Sequence, residues 1–420
     1  MVFTTIVLDE RAPCQKPLKA LETRRAAAIG LRDPGFGRHC HNLPAVHWEP
    51  LFSNPHVTVR RSGRFIVAAL RTPHRVMSTS VKNGGIVDHV RFLVNHQSCE
   101  GSGHESRSWA FHGSQEAYHD SVCAEIDVPA GAAALMGTAA SMHYATVARE
   151  TDRDLTVVAI VTAGVQTNAT AAGDPATWRE TRDGIAKVPD VAGTINTMVL
   201  VDAPVTPGVL ARLAMNVTEA KTAALLRLAV PSCHSKELAT GTGTDQFCIA
   251  APVDGGAPLT SASPHMKFGE IVGTAVRDAT TEALRWQNGL EPSYTRGIFH
   301  ALGRYGLKEA SIFDDLAPLL SAADLELLRR NSKSVFYEPL VGAAAHALAS
   351  VLDRARHGAV PASVMRDAMV QQAATLAASL AGQPGRWPEF RLRLHETDRD
   401  PVGLVLRALA LGWSEKWPAR

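Results

Sequence analysis

The sequence lacks the features that mark several large classes of protein. Its six cysteines lie far apart and form no C-x-x-C pair, so neither a disulfide framework nor a zinc knuckle is expected. It has 43 lysines and arginines against 41 aspartates and glutamates, a balance that argues against nucleic acid as the main partner. No apolar run approaches the length of a membrane span, and no basic flank of a signal peptide precedes the first apolar run. We therefore expect a soluble, cytoplasmic protein without a membrane partner.

A chain of 420 residues is too long for one average domain. Residues 1–50 are broken by proline and glycine and are predicted to form an irregular extension. Residues 51–290 carry strand and helix patterns together and are predicted to be the main domain. Residues 291–420 are rich in alanine and leucine and predict a helical C-terminal domain, which would serve homo-oligomerisation or cover a ligand cleft.

Strand and helix patterns do not alternate regularly, which favours an α+β fold over a doubly wound sheet. We predict mixed or largely antiparallel β-sheets packed with long helices, followed by an all-helical C-terminal region. The clearest predicted helix spans residues 207–230, because Thr206 is a good N-cap and Pro207 suits the first helical position. Further helices are predicted at residues 268–288 and 402–413, and the alanine-rich residues 129–141 are also predicted to be helical.

One glycine- and threonine-rich stretch is the centre of the functional interpretation. Residues 239–246 read ATGTGTDQ and run directly into an apolar segment, which predicts a site loop entering a strand. Alternate glycines allow a ligand to approach the backbone closely, while the hydroxyls and Asp245 project into the remaining space. A turn without chemistry has the same composition.

Five further polar blocks precede this stretch along the chain, at residues 76–85, 94–97, 161–174, 192–200 and 218–225. Together with residues 239–246, they resemble the CbiZ family of adenosylcobinamide amidohydrolases over about half the chain. The resemblance implies hydrolysis of the amide between the aminopropanol arm and the corrin ring of adenosylcobinamide, giving adenosylcobyric acid in cobamide (vitamin B12) salvage. It implies a corrinoid substrate but assigns no catalytic residue.

Amide hydrolysis requires an activated nucleophile, an oxyanion stabiliser and an acid for the departing amine. From residue chemistry, the candidates for catalysis are Asp245, Glu219, Thr242 and His96. Small and amide-bearing residues suit contacts with a flat macrocycle fringed by amides. The candidates for substrate binding are Asn83, Asn168, Thr194, Asn196, Thr222, Thr240, Gly241, Gly243 and Thr244.

Two other functions stay open on the sequence alone. The polar blocks would also suit a protein that binds a corrinoid or nucleotide without cleaving it, although the Gly/Thr loop lacks the lysine of a P-loop. A different hydrolase would use either an internal threonine as nucleophile or a metal held by the histidine-rich residues 89–120. The histidine spacing fits neither a metal-binding helix nor a metal-binding strand, so no metal and no cofactor are expected.

Overall fold

Two β-sheets stacked face to face form the centre of residues 49–252. The structure is a computed structural model and describes residues 47–99, 114–176, 178–181, 184–187, 193–395 and 400–417. Most of the predicted extension, residues 1–46, therefore lies outside the described residues. The predicted α+β class is confirmed, because mixed sheets pack with long helices and a helical region follows them.

The five-stranded sheet has one parallel pair at its edge. In spatial order it contains β1 (Glu49–Ser53), β2 (Val57–Ser62), β3 (Phe65–Leu70), β6 (Phe92–Gln97) and β7 (Ala133–Thr138). Only β6 and β7 run parallel to each other. Gly63 adopts a φ of +51° in the turn between β2 and β3, a conformation that glycine accepts without steric cost.

The six-stranded sheet is also mixed. In spatial order it contains β5 (Gly85–Val87), β4 (His74–Ser78), β15 (Gln246–Pro252), β13 (Ile195–Val201), β9 (Leu155–Ala163) and β8 (Thr146–Asp152). β13 and β15 are parallel, and the other neighbours are antiparallel. Two short antiparallel pairs lie outside it: β10 (Ala169–Thr170) with β14 (Gly241–Thr242), and β11 (Trp178–Thr181) with β12 (Gly184–Lys187).

Helices cover the outer faces of both sheets. The inner faces share a buried core that includes Ile66 from the five-stranded sheet and Met198 from the six-stranded sheet. Helix α1 (Gln115–Glu125) packs Val122 against the outer face of the five-stranded sheet. Helices α2 (Pro207–Arg227) and α3 (Lys267–Asn288) cover the six-stranded sheet. The resulting order of layers is helix, sheet, sheet, helix.

Local sequence signals account for the two long helices. The Thr206 hydroxyl accepts a hydrogen bond from the backbone N–H of Val209 at 3.3 Å, and Pro207 occupies the first helical position of α2. Helix α3 ends where Gly289 takes a left-handed conformation with φ of 64°. Both helices confirm the sequence prediction, although α2 ends at Arg227 rather than at residue 230.

The helix predicted for residues 129–141 is wrong. A 3₁₀ turn at Ala130–Ala132 is followed by β7, an edge strand that pairs with β6 and whose alanines are buried. Alanine favours a helix in isolation, but a strand covered on both faces needs small or apolar side chains more than it needs strand propensity. Tertiary packing therefore overrides the local preference here.

The chain after Gly289 is helical wherever it is described, apart from short turns. Its helices are α4 (Pro292–Thr295), α5 (Ile298–Leu302), α6 (Ile312–Leu316), α7 (Ala322–Arg330), α8 (Ser332–Phe336), α9 (Pro339–Arg356), α10 (Ala362–Ala381), α11 (Trp387–His395) and α12 (Pro401–Ser414). They enclose a core of their own. The predicted helix at residues 402–413 is confirmed by α12. Residues Pro44–Arg420 nevertheless group as one compact unit, so a domain division after residue 290 stays a prediction.

Two side chains of the helical region contact the segment that follows α2. Arg304 contacts both carboxylate oxygens of Asp353 at 2.5 and 2.6 Å and also donates to the backbone oxygen of Lys236 at 2.6 Å. His300 Nε2 lies 2.7 Å from the backbone oxygen of Leu228. Both backbone oxygens belong to the segment between α2 and the Gly/Thr loop, so the helical region supports that segment directly.

Candidate active site

The Gly/Thr loop lies beside the end of β9, because β14 pairs with β10. Ala169 is opposite Thr242, and Thr170 is opposite Gly241. Strand β15 begins at Gln246, which confirms the prediction of a loop that enters a strand. The short pairing brings the polar residues that follow β9 into contact with the loop.

Asp245 is the anchor of this loop. Its Oδ1 accepts hydrogen bonds from the Thr242 hydroxyl at 2.5 Å and the Ile195 backbone N–H at 3.0 Å. Its Oδ2 accepts from the Thr242 backbone N–H at 3.0 Å and from the ammonium group of Lys221. The side chains of Lys221 and Asp245 are 13% and 17% exposed, so water screens this pair only partly. Every lone-pair direction of the carboxylate therefore has a donor, and the carboxylate fixes the loop to β13 and α2.

Gly241 and Gly243 allow other groups to approach the backbone closely, and these groups are side chains of the protein itself. A Cβ atom at Gly241 would lie 2.4 Å from Asp245 Oδ2 and 2.7 Å from Lys221 Nζ. A Cβ atom at Gly243 would lie 2.9 Å from Asn168 Oδ1. Any larger residue at these positions would separate the groups that hold the loop. The glycines thus make the ion pair and the Asn168 contact possible.

A hydroxyl pair connects the loop to the start of β13. The Oγ1 atoms of Thr194 and Thr244 are 2.5 Å apart, and Thr244 Oγ1 donates to the backbone oxygen of Gly193 at 2.8 Å. Asn168 Nδ2 donates to the same oxygen at 2.7 Å. Because Thr244 donates to Gly193, Thr194 donates to Thr244. Neither hydroxyl contacts a basic side chain among the described residues, whereas a threonine nucleophile needs such a base.

Buried amides join the two sheets next to this cluster. Asn196 in β13 donates to Asn95 Oδ1 in β6 at 2.8 Å and to the backbone oxygen of Gly137 in β7 at 3.1 Å. Asn95 donates to Thr162 Oγ1 in β9 at 2.8 Å. Gln246 Oε1 accepts from the Gly137 backbone N–H at 2.9 Å. These bonds satisfy polar groups inside the core and fix the spacing of the sheets.

A cavity of about 380 Å³ opens at this edge of the sheets. Its lining comes from the Gly/Thr loop, from the residues just before β13, from the residues just after β4 and β6, and from α1 and β7. Its polar lining consists of side chains that are able to form hydrogen bonds: Thr79, Ser98, Cys99, Gln115, Tyr118, His119, Thr138, Thr194, Thr244, Asp245 and Gln246. Such a lining suits the C=O and N–H groups of an amide substrate.

Only part of the predicted site is gathered at the cavity. Thr194, Thr244 and Asp245 line it. Asn168, Gly241, Thr242 and Gly243 form the layer behind them. Thr222 and Thr240 are linked to each other, because the Thr222 hydroxyl donates to the Thr240 backbone oxygen at 2.9 Å, and they tie α2 to the loop. Asn196 lies between the sheets.

Three other predicted residues are placed differently. Glu219 is 56% exposed on α2 and lies 3.9 Å from Arg212, outside the cavity lining. Asn83 donates to the backbone oxygens of Ala130 and Ala133 at 2.9 and 2.7 Å, which fixes the turn before β5. His96 stacks on Phe65 and contacts the cavity residue Tyr118, with 2.7 Å between His96 Nδ1 and the hydroxyl oxygen. Their roles in catalysis or binding stay predictions.

Two residues that matter for the site were not proposed from the sequence. Lys221 is not among the candidate residues of the sequence analysis, yet it pairs with Asp245. The signal was available, because Lys221 lies within the family-like block at residues 218–225. His119 enters the sequence analysis only within the histidine-rich residues 89–120, as a possible metal ligand, yet it is buried and lines the cavity.

The histidine-rich segment does not assemble a metal centre in the part of the chain that the structure describes. No group of three or more His, Cys, Asp or Glu side chains there could hold a metal ion. His89 contacts Asn83 Oδ1 at 3.1 Å, and His119 contacts the Ala130 backbone oxygen at 3.1 Å. His104 and His112 lie outside the described residues.

The fold and the cavity define a helix-covered double-sheet protein with a polar site at one edge, and comparisons identify its family. The model of the CbiZ family, described as adenosylcobinamide amidohydrolase, matches residues 51–292. This is more than half of the chain, and the protein belongs to this family. The family resemblance found in the sequence is thereby confirmed, and it places the protein among the amidohydrolases.

Relatives extend the comparison without adding a function. The uncharacterized protein MJ1613 of Methanocaldococcus jannaschii is 34% identical over 183 residues, which cover 41% of this chain and 71% of the relative. The PH0078 protein of Pyrococcus horikoshii has a TM-score of 0.28 and 12% identity, covering 57% of this chain and 83% of its own. A Burkholderia sp. beta-aminopeptidase has a TM-score of 0.26 and 14% identity, and the match covers 56% of this chain and 81% of the beta-aminopeptidase. Structural likenesses this weak carry no argument.

Proposed function

We propose that the protein hydrolyses the amide bond between the aminopropanol arm and the corrin ring of adenosylcobinamide, releasing adenosylcobyric acid and aminopropanol. The observation that carries the proposal is the position of the cavity within the family match. Every cavity-lining residue falls between Thr79 and Gln246, inside the matched residues 51–292. The family's described activity and the polar cavity therefore belong to the same part of the chain.

The size of the cavity favours binding of an arm of the substrate. Ligand cavities commonly measure about 300–1,000 Å³, and a volume of about 380 Å³ lies near the lower end. An amide-bearing arm fits this space, whereas a complete corrin ring requires a larger one. We therefore propose that the arm enters the cavity while the ring stays at its mouth.

The hydroxyls and amides of the lining supply the contacts that an amide requires. The lining includes the hydroxyls of Thr138, Thr194 and Thr244 and the side-chain amide of Gln246. Hydrogen bonds from such groups hold the scissile amide in one orientation, which lowers the entropic barrier to attack. We assign Thr194 and Thr244 to substrate contact rather than to nucleophilic attack, because neither hydroxyl is paired with a base.

A cavity-filling variant tests the proposal against a matched control. Ala139 lines the cavity, and Ala139→Trp would occupy the space of the arm. Ala323 is exposed on α7, and Ala323→Trp adds the same side chain outside the cavity. Each protein is incubated with adenosylcobinamide, and adenosylcobyric acid and aminopropanol are quantified. We expect turnover by the wild type and Ala323→Trp and none by Ala139→Trp at unchanged folding. Equal turnover by all three would contradict the assignment of the cavity.

A further inference from the structure

His119 occupies a position from which it can act on a bound amide. It lies on the buried face of α1, whose start is fixed by the Ser114 hydroxyl accepting from the Ala117 backbone N–H at 3.1 Å. His119 is 1% exposed and lines the same cavity as Thr194, Thr244 and Asp245. A substrate that fills the cavity would therefore contact this imidazole.

The backbone fixes which nitrogen of His119 carries the proton. His119 Nε2 lies 3.1 Å from the backbone oxygen of Ala130. A carbonyl oxygen only accepts hydrogen bonds, so Nε2 must be the N–H donor in the neutral ring. The lone pair is then on Nδ1, and no described residue makes a hydrogen bond to that atom. The ring thus has a basic nitrogen available to a ligand.

Burial keeps this ring neutral near pH 7. Desolvation lowers the pKa of His119 below its usual value, and nearby Lys82 lowers it further. The Ala130 carbonyl and Asp120 oppose this shift. The other titratable side chains at the cavity are Cys99, Tyr118 and Asp245, and the carboxylate of Asp245 is paired with Lys221. A neutral imidazole has the protonation state that a general base requires.

We propose that His119 is the general base of the hydrolysis. This role rests on the proposed function. His119 Nδ1 accepts a proton from a water molecule while the water oxygen forms a bond to the amide carbon. The resulting imidazolium returns that proton to the amide nitrogen as the C–N bond breaks, so that a carboxylic acid and an amine leave without any further reactant.

Asp245 is less suited to this step, although both residues line the cavity. All of its lone-pair directions are occupied by Lys221, Thr242 and Ile195. Proton abstraction by Asp245 would break at least one of these bonds. The imidazole of His119 has no such competing donor at Nδ1 among the described residues.

The test replaces the basic nitrogen and keeps the structural hydrogen bond. In His119→Gln, the side-chain amide can still donate to the Ala130 oxygen but has no basic atom. The control is His300→Gln, because His300 is also buried and its Nε2 also contacts a backbone oxygen, that of Leu228, at 2.7 Å outside the cavity. We expect His119→Gln to lose about 10²–10⁴-fold in turnover with unchanged corrinoid affinity, and His300→Gln to keep wild-type turnover.

The pH profile provides the readout that a structural role would not change. Wild-type kcat/KM should fall as the pH drops through the lowered pKa of His119, and this acidic limb should be missing from the residual activity of His119→Gln. Nitrogen NMR of the wild type at pH 7 should show that His119 Nε2 is protonated and that its Nδ1 is not. A protonated Nδ1, or full activity of His119→Gln, would overturn the assignment while leaving the proposed function intact. An inactive wild type would instead overturn the proposed function, and this role with it.

Discussion

Replacing Asp245 by asparagine tests whether this carboxylate anchors the Gly/Thr loop. Asparagine has the same shape as aspartate, but an NH₂ group replaces one of the two carboxylate oxygens. This NH₂ group donates hydrogen bonds and cannot accept them. The NH₂ group of the asparagine can occupy the position of either carboxylate oxygen. In the more favourable orientation it replaces Oδ1 and faces Thr242 Oγ1 and the Ile195 N–H. The threonine hydroxyl can rotate and accept, whereas the Ile195 N–H loses its partner. Lys221 meanwhile loses its counter-charge.

The expected destabilisation is about 3 kcal/mol. An unsatisfied buried N–H costs about 1–3 kcal/mol, and a hydrogen bond to a charged group contributes about 1.5–3 kcal/mol. Removing one partner of a fully buried ion pair costs about 3–5 kcal/mol, and the partial exposure of this pair places the cost at the lower end. The free energy of unfolding is measured by urea denaturation of the wild type and Asp245→Asn.

A double-mutant cycle isolates the ion pair. Lys221→Met removes the charge from the other side, and the double variant should be about 1–3 kcal/mol more stable than the sum of the two single effects predicts. Asp278→Asn is the control, because Asp278 forms an ion pair with Arg277 at 2.6 Å but is 49% exposed. We expect it to change stability by less than about 1 kcal/mol. Additive single effects, or an Asp245→Asn variant as stable as the wild type, would refute the anchoring role. Normal stability with lost turnover would instead favour Asp245 as the catalytic base.

Two further predictions concern the loop and the buried histidines. Gly243→Ala should lower both stability and turnover, because its Cβ would lie 2.9 Å from Asn168 Oδ1. The control is Gly63→Ala, because Gly63 has a positive φ but open space around it. Equal effects of the two variants on turnover would contradict the prediction. Burial lowers the pKa values of His74, His119 and His300, so the unfolded chain binds protons first as the pH falls. Stability should therefore be complete above about pH 6.5 and decrease below it, by up to about 1.4 kcal/mol per pH unit for each histidine, and His300→Gln should reduce that slope. A slope that is unchanged in His300→Gln would contradict the assignment.

Local signals in the sequence predicted much of the fold. The Thr206 and Pro207 cap specified the start of α2, and Gly289 specified the end of α3, because these residues act on backbone groups next to them. The strand β7 could not be predicted in the same way. Its alanines favour a helix locally, and only the pairing with β6 makes the strand the better structure.

The site was predictable in its location and less so in its contacts. Asp245, Thr194 and Thr244 were recognised by residue type, and all three line the cavity. The partner of Asp245 was not, because Lys221 belongs to a helix 24 positions earlier in the chain. His119 was missed for a similar reason, since its tautomer depends on the backbone oxygen of Ala130, which no spacing rule identifies.

The most direct test of the central claim is product analysis with the purified protein and adenosylcobinamide. Family membership, together with the cavity inside the matched region, predicts adenosylcobyric acid and aminopropanol in equal amounts, at a rate proportional to enzyme concentration. Corrinoid binding should saturate under the same conditions. Recovery of intact adenosylcobinamide from protein that binds it would contradict the hydrolytic function and favour a corrinoid-binding protein instead.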